Sequence, residues 1–231
     1  MIVLLSWHYF SRLWCVYEWA AFLVWHEPRN VRLSVDLMMR PGTIDLYVDS
    51  VRSFSVSGAE CFNEADRPLL LKKIDAYYNS IEDFEKFVKG TAIALFARFA
   101  ARPAGRSKND ADDLFMPWVN LAKELGFDRL QSNLLRAEPK LWKEMTRTGQ
   151  LYISNGPDDC ATTHAVATFS RSLTPTSLLA AQTHGESWQG RFLLALESWF
   201  EECIVPVLDE LRHECVRPEL IAERETTVFQ V

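Results

Sequence analysis

The chain has 231 residues, of which 48% are hydrophobic and 24% charged, with a formal net charge of −6. That balance is globular, not disordered, and gives enough chain to bury a real core in one large domain or two small ones. The acidic excess leaves no electrostatic footprint for nucleic acid. Five cysteines at 15, 61, 160, 203 and 215 form no CxxC pair and fit a reduced, cytoplasmic protein.

Met1 to Trp25 is apolar enough to suggest a membrane segment, but His8, Arg12 and Glu18 interrupt it. A spanning helix needs roughly 20 nearly unbroken apolar residues. A basic start and a small-residue cleavage site are both missing, so a signal peptide does not fit. No membrane association is expected. Ile2-Val-Leu-Leu5 reads as a short buried strand, and Tyr9 to Trp25 as a helix with Phe10, Leu13, Trp14, Tyr17 and Ala21 along one face. Glu18 follows Trp14 by four residues and projects from the same side.

Pro28 ends that helix, and Val31 to Leu37 alternates like a half-buried strand. Strand, helix and strand make a βαβ unit expected to cross over onto a parallel sheet. Ile44 to Val51 is ambiguous between strand and short helix. Leu69, Leu70, Ile74, Tyr77 and Tyr78 form an amphipathic stripe from Asp66 onward. Ser80-Ile-Glu-Asp83 resembles a capping box opening a second helix to about Ala101.

Residues 103–110 are polar and rich in turn formers, the best linker in the chain. They divide it into 1–102, an α/β unit with trailing helices, and 111–231, a helical region. In the second part helices are expected over Asp113–Leu125, Asp128–Arg136, Pro139–Arg147 and Thr174–His184. A short extended piece is expected at Leu151–Ser154. Glu186 to Arg217 reads as one long helix kinked at Pro206, with Trp188, Phe192, Leu193, Leu196, Trp199, Phe200, Ile204 and Val207 on its apolar face. Its tail, Glu219 to Val231, is expected to fray.

The order Ser6-x-x-Tyr9-x-Ser11-x-x-Trp14-Cys15-x-x-Glu18 resembles the Toll/interleukin-1 receptor (TIR) signature, of the plant and protist type, at the fourth strand and the helix after it. Six positions agree in identity and spacing; Trp19 departs from the usual leucine. A second block, Cys61-Phe62-x-x-x-Asp66-Arg67 and the helix behind it, is similar to sequence that trails TIR-like modules in some protists. The resemblance implies the C-terminal half of a flavodoxin-like parallel sheet. It also implies intracellular signalling by assembly with other TIR-like domains or with further copies of itself.

Some TIR domains cleave NAD at the nicotinamide–ribose bond, and the matching glutamate is Glu18. Nicotinamide leaves as a neutral group, so one carboxylate stabilising an oxocarbenium-like sugar would suffice. Under that reading NAD is a substrate, no cofactor is required, and Ser6, Tyr9 and Trp14 are the candidate nucleotide-binding residues. The plainer reading has Glu18 snorkelling or paired with Arg12, Trp14 and Cys15 in the core, and Ser6, Tyr9 and Ser11 capping the helix or its turn. A TIR cleft also draws on the first strand and the loop after the second, and this chain opens at the fourth. An association module without a complete cleft is therefore the first expectation. An NAD-cleaving enzyme and a truncated product without independent function are the alternatives. His213-Glu214-Cys215 with Cys203 matches no zinc spacing, so no metal is expected. His164, His184 and Asp158-Asp159 lie in no recognisable catalytic arrangement.

Overall fold

The computed structural model describes residues 1–34, 37–38, 40, 42–101, 108–136 and 188–228. It is mostly helical, with a small parallel sheet at the N-terminus. Strand β1 (Ile2–Leu4) pairs in parallel with β2 (Arg32–Ser34), Val3 opposite Leu33. Helix α1 (Leu13–Trp25) connects them, as the βαβ reading requires. Both strands are shorter than the sequence suggests; Val35 and Asp36 lie outside the described residues and Leu37 sits in a turn.

The helix expected from Tyr9 begins later. Tyr9–Ser11 is a 3-10 turn, and Arg12 is extended at φ −108°, ψ 108°. The interruption has a cause. Leu13 N–H donates to Glu60 O at 2.9 Å and Glu60 N–H to Ser11 O at 2.7 Å. These two bonds hold Arg12 beside Glu60 as a parallel bridge. The buried face of α1 is Leu13, Val16, Tyr17, Trp19, Ala20, Leu23 and Val24, which keeps Leu13 and Tyr17 of the expected stripe but is broader than it. Trp14 and Ala21 are only half-buried.

Ile44–Arg52 resolves as a helix, α2, burying Ile44, Tyr47, Val48 and Val51. In α3 (Arg67–Tyr77) Leu70 and Ile74 are buried, whereas Leu69 of the expected stripe is exposed. Helix α4 (Ile81–Ala100) opens on Ser80, whose Oγ accepts from Asp83 N–H at 3.0 Å. That is the capping arrangement its sequence indicates. Fourteen of its twenty residues are buried, and it packs against α1, α5 (Lys108–Glu124) and the C-terminal helices. The side of the linker that is described, residues 108–110, already belongs to α5; residues 103–107 lie outside the description. Gly126, at φ +76°, ends that segment before α6 (128–136).

The long C-terminal helix is three pieces in line: α7 (Trp188–Trp199), a π-helical turn Phe200–Ile204, and α8 (Val205–Cys215). The irregularity sits where Pro206 offers no N–H to the turn before it. Asn133 Nδ2 donates to Cys203 O at 2.9 Å, supplying a donor to a carbonyl within that turn. Leu196, Trp199, Phe200, Ile204 and Val207 are buried, as the apolar face predicts. Helix α9 (Pro218–Val228) follows where fraying was expected. Buried residues from Val3 to Ile221 form one hydrophobic cluster. The expected elements at Pro139–Arg147, Leu151–Ser154 and Thr174–His184 lie outside the described residues.

Two buried arginines tie the C-terminal helices to the rest. Arg212 of α8 donates from Nε to Leu23 O, 3.1 Å, placing a cation at the C-terminus of α1, and pairs with Asp209. Arg98 of α4 pairs with Glu197 of α7 and lies 4.3 Å over the Phe200 ring. Burial weakens the hold of both guanidinium groups on their protons, the carboxylates opposing it.

Candidate functional site

The stretch that carries the TIR resemblance runs from β1 through the 3-10 turn into α1. Val3 and Leu5 turn into the core; Ile2 and Leu4, on the other face, are each 78% exposed. Parallel sheets are ordinarily covered on both faces. This one is covered on the face of Val3 and Leu33; on the other, Ile2 and Leu4 of β1 stand exposed and Arg32 and Ser34 of β2 are half-buried.

After the strand the chain turns tightly. Ser6 O accepts Tyr9 N–H at 3.0 Å, and Ser11 Oγ donates to His8 O at 2.8 Å. Neither serine caps α1, whose N-terminus has no side-chain cap. Tyr9 donates its phenol to Cys15 O at 3.0 Å. Burial raises the pKa of that phenol well above its ordinary value, and the Cys15 thiol and Glu18 carboxylate push it the same way. The Cys15 thiol is also raised, first by burial and further by Glu18, with Arg12 opposing. Both shifts favour the neutral forms of the Tyr9 phenol and the Cys15 thiol.

Trp14 goes elsewhere. Its Nε1 donates to Asp66 Oδ2 at 3.2 Å, and Lys73 Nζ lies 5.4 Å above both the Trp14 and Tyr17 rings. The structure therefore brings the two sequence blocks together: Ser11 and Arg12 meet Glu60, and Trp14 meets Asp66. Arg67 fixes the second block by donating to Val56 O at 3.1 Å, to Ala59 O and to Glu64. On that pinned loop Phe62 is 99% exposed.

Trp14 and Cys15 are half-buried rather than core, and the large core side chain is Trp19, the position that departs from the motif. Trp19 donates to Thr91 Oγ1 at 2.9 Å and packs edge-on against Tyr9 and Phe10. Glu18 is exposed and makes no ion pair with Arg12 among the described residues. Ser6, Tyr9, Trp14 and Glu18 share one turn and one helix start but do not line a common cavity among those described. One of about 480 Å³ lies between α6 and the π-helical turn, lined by Asp128, Arg129, Asn133, Glu202 and Cys203. Another, of about 290 Å³, lies between α6 and α8.

Among the described residues no group of three or more His, Cys, Asp or Glu is placed to hold a metal ion. His213 Nδ1 lies 2.7 Å from Asp209 O, and Cys215 is buried. His164, His184 and Asp158-Asp159 lie outside the described residues. No helix among the described residues is long and apolar enough to cross a membrane. Compared with protein-family models, curated proteins and solved structures, the chain matches none.

Proposed function

We propose that the N-terminal unit is the latter part of a TIR-like, flavodoxin-like sheet and works as an intracellular association module, with other TIR-like domains or further copies of this chain as partners. The observation that supports it is the outer face of β1: Ile2 and Leu4 stand 78% exposed on either side of Val3, which is core. Apolar side chains on an uncovered sheet gain stabilisation when a partner removes them from water. Light scattering over a concentration series tests this; a mass that stays at one chain throughout would sink it.

NAD cleavage through Glu18 is the competing reading, and its chemistry asks for a different environment. A carboxylate stabilises an oxocarbenium ion best in a water-excluded site, whereas Glu18 faces solvent. Purified chain incubated with NAD is expected to release no nicotinamide, in wild type as in Glu18→Ala. Release that disappears in Glu18→Ala would establish the enzyme instead.

A further inference from the structure

We propose that two copies of this chain join edge to edge through β1, antiparallel about a two-fold axis at Val3, making one four-stranded sheet in the order β2-β1-β1-β2. The inference rests on the association reading above and names its partner and surface.

The argument starts from the backbone. Arg32 N–H donates to Met1 O at 2.9 Å, and Ile2, Val3 and Leu4 stand opposite Arg32, Leu33 and Ser34. In a parallel ladder of that register Val3 turns its N–H and C=O toward β2. Ile2 and Leu4 turn theirs to the outer edge. Neither Ile2 nor Leu4 makes any other backbone bond among the described residues. No lysine, proline or bulge guards this edge; β1, Ile-Val-Leu, is shielded from pairing only by its shortness.

The occupant follows from the register. With the axis at Val3, Ile2 of one copy faces Leu4 of the other as a hydrogen-bonded pair, and the reverse pair is equivalent. All four outward groups of each strand then find partners. On the bare face isoleucine meets leucine twice; on the core face valine meets valine. Shifting the axis to Leu4 sets Ile2 against Ser6, which pairs an apolar side chain with a polar one on the bare face. Charge agrees as well. Arg32 lies on the outer strands, roughly 14 Å from its counterpart at about 4.8 Å per strand, beyond the screening length at physiological salt.

Sedimentation velocity on the full chain tests this with two edge variants. Leu4→Lys places a charge on the bare face, where Leu4 touches little in the single chain. Ile2→Pro deletes an outward N–H that the single chain does not use, a position where proline is tolerated. Each is expected to weaken dimerisation at least about tenfold while leaving unchanged the urea midpoint read at dilutions where wild type is monomeric. Mixing Ile2→Cys chains with Leu4→Cys chains and oxidising gives the register. The hydrogen-bonded pair sets the Cα atoms about 5.5 Å apart, within disulfide reach, so a mixed 2–4 cross-link should appear by peptide mass. Association as strong in both edge variants as in wild type overturns this inference and leaves the association reading standing. A cross-link between two Ile2→Cys chains overturns the register. A wild-type chain that stays monomeric overturns both readings.

Discussion

Replacing Trp19 by leucine, the residue the TIR-like motif usually carries there, should destabilise the protein by about 3 kcal/mol. Trp19 is fully buried, with Phe96, Tyr9 and Phe10 ring centroids 6.0–6.3 Å from its own. Truncating a buried tryptophan to alanine costs about 3–5 kcal/mol; leucine keeps part of the volume, so about 2–3 remains. The lost bond from Trp19 Nε1 to Thr91 Oγ1 adds about 1 kcal/mol. Thr91 still donates to Phe87 O at 2.8 Å, so no buried donor is orphaned. Urea unfolding followed by circular dichroism should show a lower midpoint at unchanged slope. Melting should fall by roughly 6–12 °C, at about 2–4 °C per kcal/mol for a chain of this size. Trp14→Leu is the control: half-buried, with one bond to Asp66, it should cost about 1 kcal/mol. A larger loss for Trp14 than for Trp19 would refute the orientation given to α1.

Arg67→Ala removes the donors that pin the 56–64 loop and should cost about 2–3 kcal/mol by denaturant titration; an unchanged midpoint would show the loop holds itself. Glu197→Ala leaves the Arg98 guanidinium buried without its counter-charge and should cost about 3 kcal/mol, largely recovered when Arg98→Met is added; additive losses would mean the pair is not coupled. Burial pushes the Cys215 thiol up from 9.0 to about 12. Because the folded state holds that proton more tightly than the unfolded chain, its contribution is full below about pH 9 and is lost as pH rises toward 12. Buried Tyr78, also raised, acts in the same direction above pH 10. Urea midpoints should fall from pH 9 upward, less steeply in Cys215→Ala; identical profiles would contradict this.

The capped start of α4 was legible because Ser80 and Asp83 satisfy one another locally, with no help from distant residues. The alternation and turn residues likewise place β1, α1 and β2 in order. The buried face of α1 was not legible. Twelve of its thirteen residues are uncharged and nearly all apolar, so periodicity offers no stripe to choose, and the packing against α4 decides. The start of α1 was hidden for a related reason: Glu60, nearly fifty residues on, breaks the helix at Arg12. For the candidate site, Ser6, Tyr9, Trp14 and Glu18 were marked by the resemblance to the TIR signature, in identity and spacing. Spacing along a chain says nothing of the extended residue at Arg12 or of Asp66, which draws Trp14 to the side of α3. The exposed face was not legible: Ile2-Val-Leu-Leu5 reads as a buried strand, whereas Ile2 and Leu4 are each 78% exposed, and which face is covered depends on which helices reach it.

Amide hydrogen exchange at β1, followed on dilution, is the most direct measurement. Val3 donates across to β2 and should stay protected at every concentration. Leu4, whose N–H looks outward, should be protected in concentrated solution and exchange freely once the protein is diluted. Leu4 exchanging at the rate of an unstructured peptide at all concentrations would contradict a second strand at that edge, and an unprotected Val3 would contradict the sheet itself.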